Sequence, residues 1–323
     1  MLKILKCELL KYLMFASITA VLIYLFLKEA PGPSKRLTPI RKELYEVISP
    51  STYKHMLNQP ELCKVTQPFL VLMIPVTQED RQSRLAIRGT WGQENVVRHV
   101  NIARLFFIGE PREPNKSLQR DLLEESREYG DIIQMDFLDT YHNLTIKTMM
   151  MMNWLATYCT SARYAMKIDA DIFLNVPYLV EYLHSQAEKQ DYITGSVITD
   201  ARPRRDIHSK WYLSEELYPE NKLPPYVSGA GYVFSIDLAR KIALASRFVR
   251  PIPLEDVYVG LCLNVLNIRP IFSWTLLPYR NLFEIRRLEY DRCTFAKRII
   301  VTGFRPSQLL NIWDDFQQAG FSC

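Results

Sequence analysis

The sequence lacks any strong imbalance of charge. Across 323 residues, 40 lysines and arginines oppose 35 aspartates and glutamates, which leaves a net charge of +5 at pH 7. This excess is small and dispersed, and no basic stripe is interleaved with aromatic residues. The composition therefore excludes an extended nucleic-acid-binding surface of the usual kind.

Long apolar runs are also scarce, because residues 12–27 (YLMFASITAVLIYLFL) form the only one that is uncharged and long enough to approach a membrane span. A polytopic membrane protein is thereby excluded. A content of 48% hydrophobic and 23% charged residues also excludes a disordered tail and a collagen-like fibre. A chain of this length can form one large domain or two small ones, and it needs no metal or disulfide scaffold merely to fold.

The single apolar run predicts a membrane anchor. Extended back to Leu9 it reaches 19 residues, close to the ~20 that cross a bilayer, and Lys11 can snorkel near the helix end. We expect a tail at residues 1–8, a signal anchor at residues 9–28 and a proline-punctuated stem at residues 29–62. Lysines on both sides leave the orientation undecided. A cleaved signal peptide is disfavoured because no A-x-A-like site follows the run, and a buried core helix is the third alternative.

Sequons and cysteines bear on the compartment. Asn115 and Asn143 each open an N-x-S/T sequon and are glycosylation acceptors if the chain is lumenal. Five of the six cysteines follow the apolar run, so an oxidising compartment allows two disulfides and leaves at least one thiol over. Spacing does not give the pairing, and buried reduced cysteines are the alternative.

Strand and helix patterns alternate from Cys63 onward. Residues 69–76 (FLVLMIPV), 104–109, 131–137 and 163–168 have the apolar character of strands, and residues 79–89, 118–129 and 145–158 have helical spacing between them. This alternation predicts an α/β fold with a mostly parallel sheet and right-handed crossovers. No repeat is visible, so we expect one domain over residues 63–323.

An acidic pair follows the last of these strands. Asp169 and Asp171 stand at i and i+2, so on an extended backbone their side chains point the same way. Ligands of open α/β sheets bind beyond the carboxyl ends of the strands. Two converging carboxylates suit Mg²⁺ or Mn²⁺, and hence a diphosphate. The alternative interpretation is an exposed turn.

Three further segments could contribute to a ligand site. Arg81, Arg84 and Arg88 fall on one helix face and could bind phosphate, or could be a solvated basic face. Gly229 and Gly231 would let the backbone approach a ligand closely, or form a plain turn before a strand. Glu255 and Asp256 open an apolar helix, where they could act chemically or merely complement the helix dipole.

Together these segments resemble the β-1,3-galactosyltransferase family of Golgi enzymes, which are related to the β-1,3-N-acetylglucosaminyltransferases. Five stretches carry the resemblance in the family's order: RLAIRGTWG at 84–92, DFLDTYHNLTIKT at 136–148, MKIDADIFLN at 166–175, PPYVSGAGYVFS at 224–235 and EDVYVGLC at 255–262. They cover nearly all of residues 63–323.

The resemblance implies a GT-A-like nucleotide-diphosphosugar transferase fold. It also implies a single-pass type II anchor in the Golgi membrane with a lumenal catalytic domain, Mn²⁺ as cofactor and UDP-galactose as donor. The acceptor would be a glycan ending in N-acetylglucosamine, N-acetylgalactosamine or galactose.

Roles follow from the resemblance by position. Asp171, with Asp169, becomes the metal motif, and Asp256 becomes the candidate base, with Glu255 as second choice. The donor-site candidates are Arg84, Arg88, Asp139, Asn143, Lys147, Asp169, Gly229 and Gly231. The expected reaction inverts the anomeric configuration, with one carboxylate deprotonating the acceptor's 3-hydroxyl.

Two departures and two rival functions accompany the resemblance. Similar enzymes have Cys where Val227 stands, which puts one disulfide in question. Many have His at the position of Thr302, which puts the metal affinity in question.

One rival is a non-catalytic lumenal binding protein. The other transfers N-acetylglucosamine or N-acetylgalactosamine. A phosphohydrolase would need histidines that this sequence does not place usefully.

Overall fold

The computed structural model describes residues 52–186, 190–278 and 290–318. The predicted tail, anchor and most of the stem lie outside these residues. Within the described ranges, no helix combines the length and the apolar character that a membrane crossing requires.

The described chain alternates strands and helices, as the apolar pattern predicts. The strands are β1 (His55–Leu57), β2 (Leu70–Pro75), β3 (Ile102–Glu110), β4 (Ile132–Leu138), β5 (Tyr164–Ile168), β6 (Ile172–Leu174), β7 (Ile193–Ile198), β8 (Tyr226–Ser235), β9 (Ile271–Phe272) and β10 (Ile300–Thr302). The helices are α1 (Leu62–Thr66), α2 (Arg81–Arg88), α3 (Lys116–Tyr129), α4 (Leu144–Tyr158), α5 (Val176–Ser185), α6 (Ile236–Ala245), α7 (Glu255–Val265), α8 (Arg292–Ala296) and α9 (Pro306–Phe316).

Eight strands form one sheet in the order β1-β4-β3-β2-β5-β8-β7-β9. Parallel pairing joins β4, β3, β2 and β5, whereas β8 runs antiparallel to both β5 and β7. The chain passes from β2 to β3 and β4 on one side and then returns to β5 on the other. This places a topological switch point between β2 and β5, where such sheets bind ligands.

The sheet is covered on both faces, which explains why its central strands are continuously apolar. In β2, Val71 and Met73 face one core cluster while Leu72 and Ile74 face the other. Helices α4, α6 and α7 contribute to the first cluster, and α2, α5 and α9 to the second. The result is a three-layer α/β fold with a mostly parallel central sheet, as predicted.

The folded domain begins earlier than the sequence predicts. Strand β1 lies within the predicted stem, yet it pairs antiparallel with β4 through His55 and Met135. Trp154 Nε1 also donates to Asn58 Oδ1 at 2.8 Å. Paired strand structure is therefore present at residue 55, within the range that was predicted as stem.

Disulfides reinforce the domain. Cys63 is bonded to Cys159, with their Cα atoms 5.2 Å apart, and so ties α1 to the end of α4. Cys293 is disulfide-bonded as well, whereas Cys262 is a buried free thiol. The expectation that at least one thiol is left over is therefore confirmed.

Candidate active site

A buried lysine organises the carboxyl end of β5. Lys167 Nζ lies 2.6 Å from Asp169 Oδ1 and 3.1 Å from Glu255 Oε1. The same ammonium donates to the carbonyl of Gly229 in β8. Burial lowers the pKa of Lys167, but its two carboxylate partners outweigh this and raise the pKa above its ordinary value. Three elements therefore meet around one cation, which holds the end of β5 against β8 and the start of α7.

Lys167 was not among the residues singled out from the sequence. The signal was present, because a single lysine in the fully buried strand YAMKI needs counter-charges nearby. Its side chain and that of Asp169 point the same way, as the period of an extended strand requires.

Asp171 differs from the prediction in its backbone. Residues 170–171 form a turn between β5 and β6, so Asp169 and Asp171 do not share one extended strand as expected. Asp169 is 41% exposed at its side chain, and Asp171 is exposed. Both residues still lie at the carboxyl end of β5, with Asp169 just before the turn and Asp171 within it.

The segment around Thr302 lies beside this acidic turn. Strand β10 pairs antiparallel with β6, which sets Thr302 opposite Ile172. The amides of Gly303 and Phe304 donate to the Asp171 carbonyl at 2.9 and 2.8 Å. The departure at Thr302 therefore falls next to the predicted metal motif, although the two segments are far apart in the sequence.

Glu255 and Asp256 open α7 in different environments. Glu255 is buried beside Lys167, and burial raises the pKa of its carboxyl from 4.5 to about 7, with Asp256 adding to the increase and Lys167 opposing it. Asp256 is half-buried, accepts from the amides of Gly229 at 3.2 Å and Val257 at 2.8 Å, and has a pKa raised mainly by burial. Asp256 is the more accessible carboxylate of the two.

Gly229 is required by this arrangement. It lies inside β8 rather than in a turn before it, and a Cβ at this position would come within 2.6 Å of Glu255 Oε1. Any side chain here would displace a buried carboxylate. Gly231, also in β8, pairs with Ile168 at the end of β5 and has more room, since its added Cβ would meet the flexible end of Met166 at 3.3 Å.

Tyr141 is a second residue that the sequence did not single out. It lies in the short 3₁₀ turn Tyr141–Asn143 and is 46% exposed. Burial of part of the ring raises the pKa of its phenol, and Asp256 is the next largest cause, while a hydrogen bond from Trp211 opposes the increase. The phenol thus lies between the acidic start of α7 and the loop that follows β7.

Lys147 joins the ends of two parallel strands. Its ammonium lies 2.8 Å from the Val76 carbonyl and 2.7 Å from Asp139 Oδ2, and burial lowers its pKa. Asp139 Oδ2 also accepts from the Gly109 amide at 2.9 Å. Both predicted donor-site residues therefore lie at the carboxyl edge of the sheet, where they bind protein groups.

Arg84 and Arg88 lie on one face of α2, as predicted, but that face is buried. Arg84 forms a two-pronged pair with Glu125 of α3, at 2.8 Å for each contact. Arg88 binds Asp131 in the same way at 2.9 and 2.7 Å, and it reaches Glu125 Oε1 at 2.6 Å. These guanidinium groups therefore bind buried carboxylates, and phosphate binding by Arg84 and Arg88 stays a prediction.

The two sequons differ in the availability of the amide nitrogen. Asn115 is exposed and caps α3 through Oδ1, which accepts from the amides of Ser117 and Leu118. Asn143 is half-buried, and its Nδ2 donates to the Leu138 carbonyl at 2.8 Å. Attachment of a glycan to Asn143 would change that contact, whereas Asn115 can keep its cap.

The fold and this edge of the sheet agree with a sequence comparison. Residues 82–272 match the model of the Galactosyltransferase family, and the chain belongs to that family. The matched range runs from α2 to β9 and includes Asp169, Asp171, Glu255 and Asp256.

Curated relatives are β-1,3-galactosyltransferases. The chain is 43% identical over 268 residues to β-1,3-galactosyltransferase 2 of Homo sapiens, an alignment that covers 82% of this chain and 63% of that protein. It is 41% identical over 271 residues to β-1,3-galactosyltransferase 1 of Mus musculus, covering 83% and 80%. The chain therefore spans somewhat less than two thirds of the first relative's length.

A solved structure of WbbM, a bifunctional glycosyltransferase, aligns with 77% of this chain and 49% of its own at 10% identity and a TM-score of 0.41. A similarity at this level supports no conclusion about function.

Proposed function

We propose that this protein is an inverting β-1,3-galactosyltransferase. It would move galactose from UDP-galactose to the 3-hydroxyl of an acceptor sugar on a glycoprotein or glycolipid. Membership of the Galactosyltransferase family and 43% identity to a named β-1,3-galactosyltransferase support the class of reaction. Residues 9–28 would anchor the chain in the Golgi membrane, with the described domain in the lumen.

The observation on which the proposal depends is the position of Asp256. Its carboxylate lies at the start of α7, is held by the Gly229 amide, and is more exposed than that of Glu255. Its raised pKa improves it as a proton acceptor near neutral pH. Asp256 would take the proton of the acceptor hydroxyl as that oxygen attacks the anomeric carbon from the face opposite UDP.

Glu255 and Lys167 would support this step without touching the substrate. Lys167 balances the charge of Asp169 and Glu255 at 2.6 and 3.1 Å, so the acidic edge can hold several carboxylates at once. Because Glu255 is 7% exposed at its side chain, it has little access to an acceptor. This favours Asp256 over Glu255 as the base.

Asp169 and Asp171 would hold Mn²⁺ together with the donor diphosphate. The described residues contain no group of three or more metal-binding side chains. However, hard cations that act on nucleotides are commonly held by one or two carboxylates, with phosphates and water completing the shell. The oxygen donors of this turn fit that pattern. When bound, the ion would offset the negative charge that grows on departing UDP.

The test is the variant Asp256→Asn in the full-length protein. Turnover of UDP-galactose with an acceptor should fall by about 10²-fold or more, while the affinity for UDP measured by calorimetry stays near that of the wild type. Asp237→Asn is a matched control, since Asp237 also lies in the first turn of a helix, α6, but pairs with Lys241 at 2.8 Å. Equal turnover in Asp256→Asn would remove this residue from the role of base.

Thr302 favours one alternative, a transferase-like binding protein without turnover. Its position opposite Ile172, beside the acidic turn, is where similar enzymes carry a histidine. A donor panel of UDP-galactose, UDP-N-acetylglucosamine and UDP-N-acetylgalactosamine, with Mn²⁺ or a chelator, separates the cases. Transfer of galactose that the chelator abolishes supports the proposal; transfer of another sugar changes the donor; no transfer from any donor supports the binding protein.

A further inference from the structure

A cavity of about 210 Å³ lies next to the start of α7. Its walls come from three separate parts of the chain: the 3₁₀ turn with Tyr141 and His142, the loop between β7 and β8, and Pro253 and Leu254 just before the acidic pair. The loop supplies more of the wall than the other two parts together. The residues proposed above for the donor do not line it.

The cavity ends two residues before the proposed base, since Leu254 lines it and Asp256 does not. Leu254 immediately precedes Glu255 and Asp256, and its carbonyl accepts the first helical hydrogen bond of α7, from Tyr258, at 2.8 Å. Tyr141 also lines the cavity, and the charge of Asp256 contributes to the raised pKa of its phenol after burial. A molecule in the cavity would therefore lie near the start of α7, where Asp256 stands.

The chemistry of the walls is divided between apolar and polar groups. Ile207, Leu217, Pro253 and Leu254 offer aliphatic surface, while Ser209 and His142 offer hydrogen-bonding groups. A pyranose ring has the same division, because one face presents C–H groups and the rim presents hydroxyls. Aromatic side chains such as Tyr141 provide rigid apolar surface with a polar tip.

The size of the cavity limits its occupant. Sites for drug-sized ligands are typically about 300–1,000 Å³, and this one measures about 210 Å³. One sugar ring fits this scale, whereas a longer glycan would have to continue into solvent.

We propose that this cavity binds the terminal pyranose of the acceptor glycan, and that Tyr141 and Ile207 position it against Asp256. This inference rests on the proposed transferase function. Ile207 is 71% exposed, so its side chain contributes little to the folded core and is available to a bound sugar. The loop between β7 and β8 would then set acceptor selectivity, and the acidic turn at Asp171 would not.

The test compares Ile207→Ser and Tyr141→Ala with Leu244→Ser in the full-length protein. Leu244 is a matched control because it is an exposed aliphatic residue, 44% exposed on α6, that does not line the cavity. The acceptors are the methyl β-glycosides of N-acetylglucosamine and galactose and the methyl α-glycoside of N-acetylgalactosamine. Acceptor KM and kcat are measured at saturating UDP-galactose, and UDP affinity is measured by calorimetry.

For the acceptor that the wild type uses, both cavity variants should raise KM by about tenfold. This is the change expected when part of one apolar contact with the sugar is lost. The change should fall on KM more than on kcat, and UDP affinity should stay within about twofold. Tyr141→Phe should recover most of the lost affinity because it restores the ring.

Unchanged acceptor KM in both cavity variants would overturn the inference while leaving the transferase function intact. An equal loss of UDP affinity would also overturn it, because the cavity would then belong to the donor. A wild type without transfer from any donor would instead refute the proposed function, and this inference with it.

Discussion

Replacement of Glu255 by Gln tests the electrostatics of the candidate site through stability rather than activity. Glu255 is 7% exposed, and burial raises the pKa of its carboxyl from 4.5 to about 7 in the folded protein. The folded state therefore holds this proton more tightly than the unfolded state does. The stability that this proton contributes is fully present below pH 4.5 and is lost as the pH rises to about 7.

The magnitude follows from the difference between the two pKa values. Each pKa unit corresponds to about 1.4 kcal/mol, so a change from 4.5 to about 7 gives at most about 3.5 kcal/mol in the free energy of unfolding. Glu255→Gln keeps the shape and removes the titration. Loss of the contact with Lys167 would shift the variant's stability by an amount that depends little on pH, because the ammonium stays charged throughout this range.

Between pH 4.5 and pH 8, the free energy of unfolding of the wild type should therefore fall by about 3 kcal/mol relative to that of Glu255→Gln. Urea denaturation followed by tryptophan fluorescence measures it at several pH values. Glu124→Gln, at an exposed position on α3, is the control and should show no such trend. A flat or opposite trend in Glu255→Gln would mean that Lys167 keeps Glu255 ionised at every pH tested, and the reasoning would fail.

Three further predictions concern other parts of the molecule. Asp171→Asn should weaken Mn²⁺-dependent UDP binding in calorimetry but leave metal-free binding unchanged; equal loss in both would contradict metal ligation. Glu125→Gln should lower the free energy of unfolding by about 3–5 kcal/mol in denaturant titrations, because it leaves buried arginine charge uncompensated, and a loss below about 1 kcal/mol would mean that water reaches the site. Asn115→Gln should remove one glycan from protein expressed in a glycosylating cell, seen as a shift in gel mobility. Asn143→Gln should cause no such shift, because the amide nitrogen of Asn143 already serves the Leu138 carbonyl.

The fold could be predicted because its signals are local. Strand β2 is apolar at every position since Leu72 and Val71 face different cores, and that pattern is visible in a window of eight residues. The helices between the parallel strands have residues at helical spacing, which is also visible in a short window of sequence. Strand β1 was missed because three half-exposed residues have no pattern of their own, and only pairing with β4 defines them.

The site was harder to predict because its partners are distant in the sequence. The spacing of Arg84 and Arg88 identified a shared helix face but not the neighbour of that face. Glu125, on α3, is 41 residues from Arg84, and only the packing of α3 against α2 turns a basic face into a buried ion-pair cluster. The same limit explains why Tyr141 was missed, since its role depends on Trp211 and Asp256.

The buried cations of these motifs bind backbone carbonyls of the loop that follows β2. The three residues that follow β2 have their carbonyls held in turn: Lys147 binds that of Val76, and Arg84 binds those of Thr77 and Gln78. These carbonyls lie at the switch point. A mobile loop there would make the positions of nearby binding groups variable. Arg84 is anchored to α3 through Glu125, and Lys147 to the end of β4 through Asp139. Each cation therefore links this loop to a different element, α3 or the end of β4, and the two charged side chains stabilise the segment that follows β2.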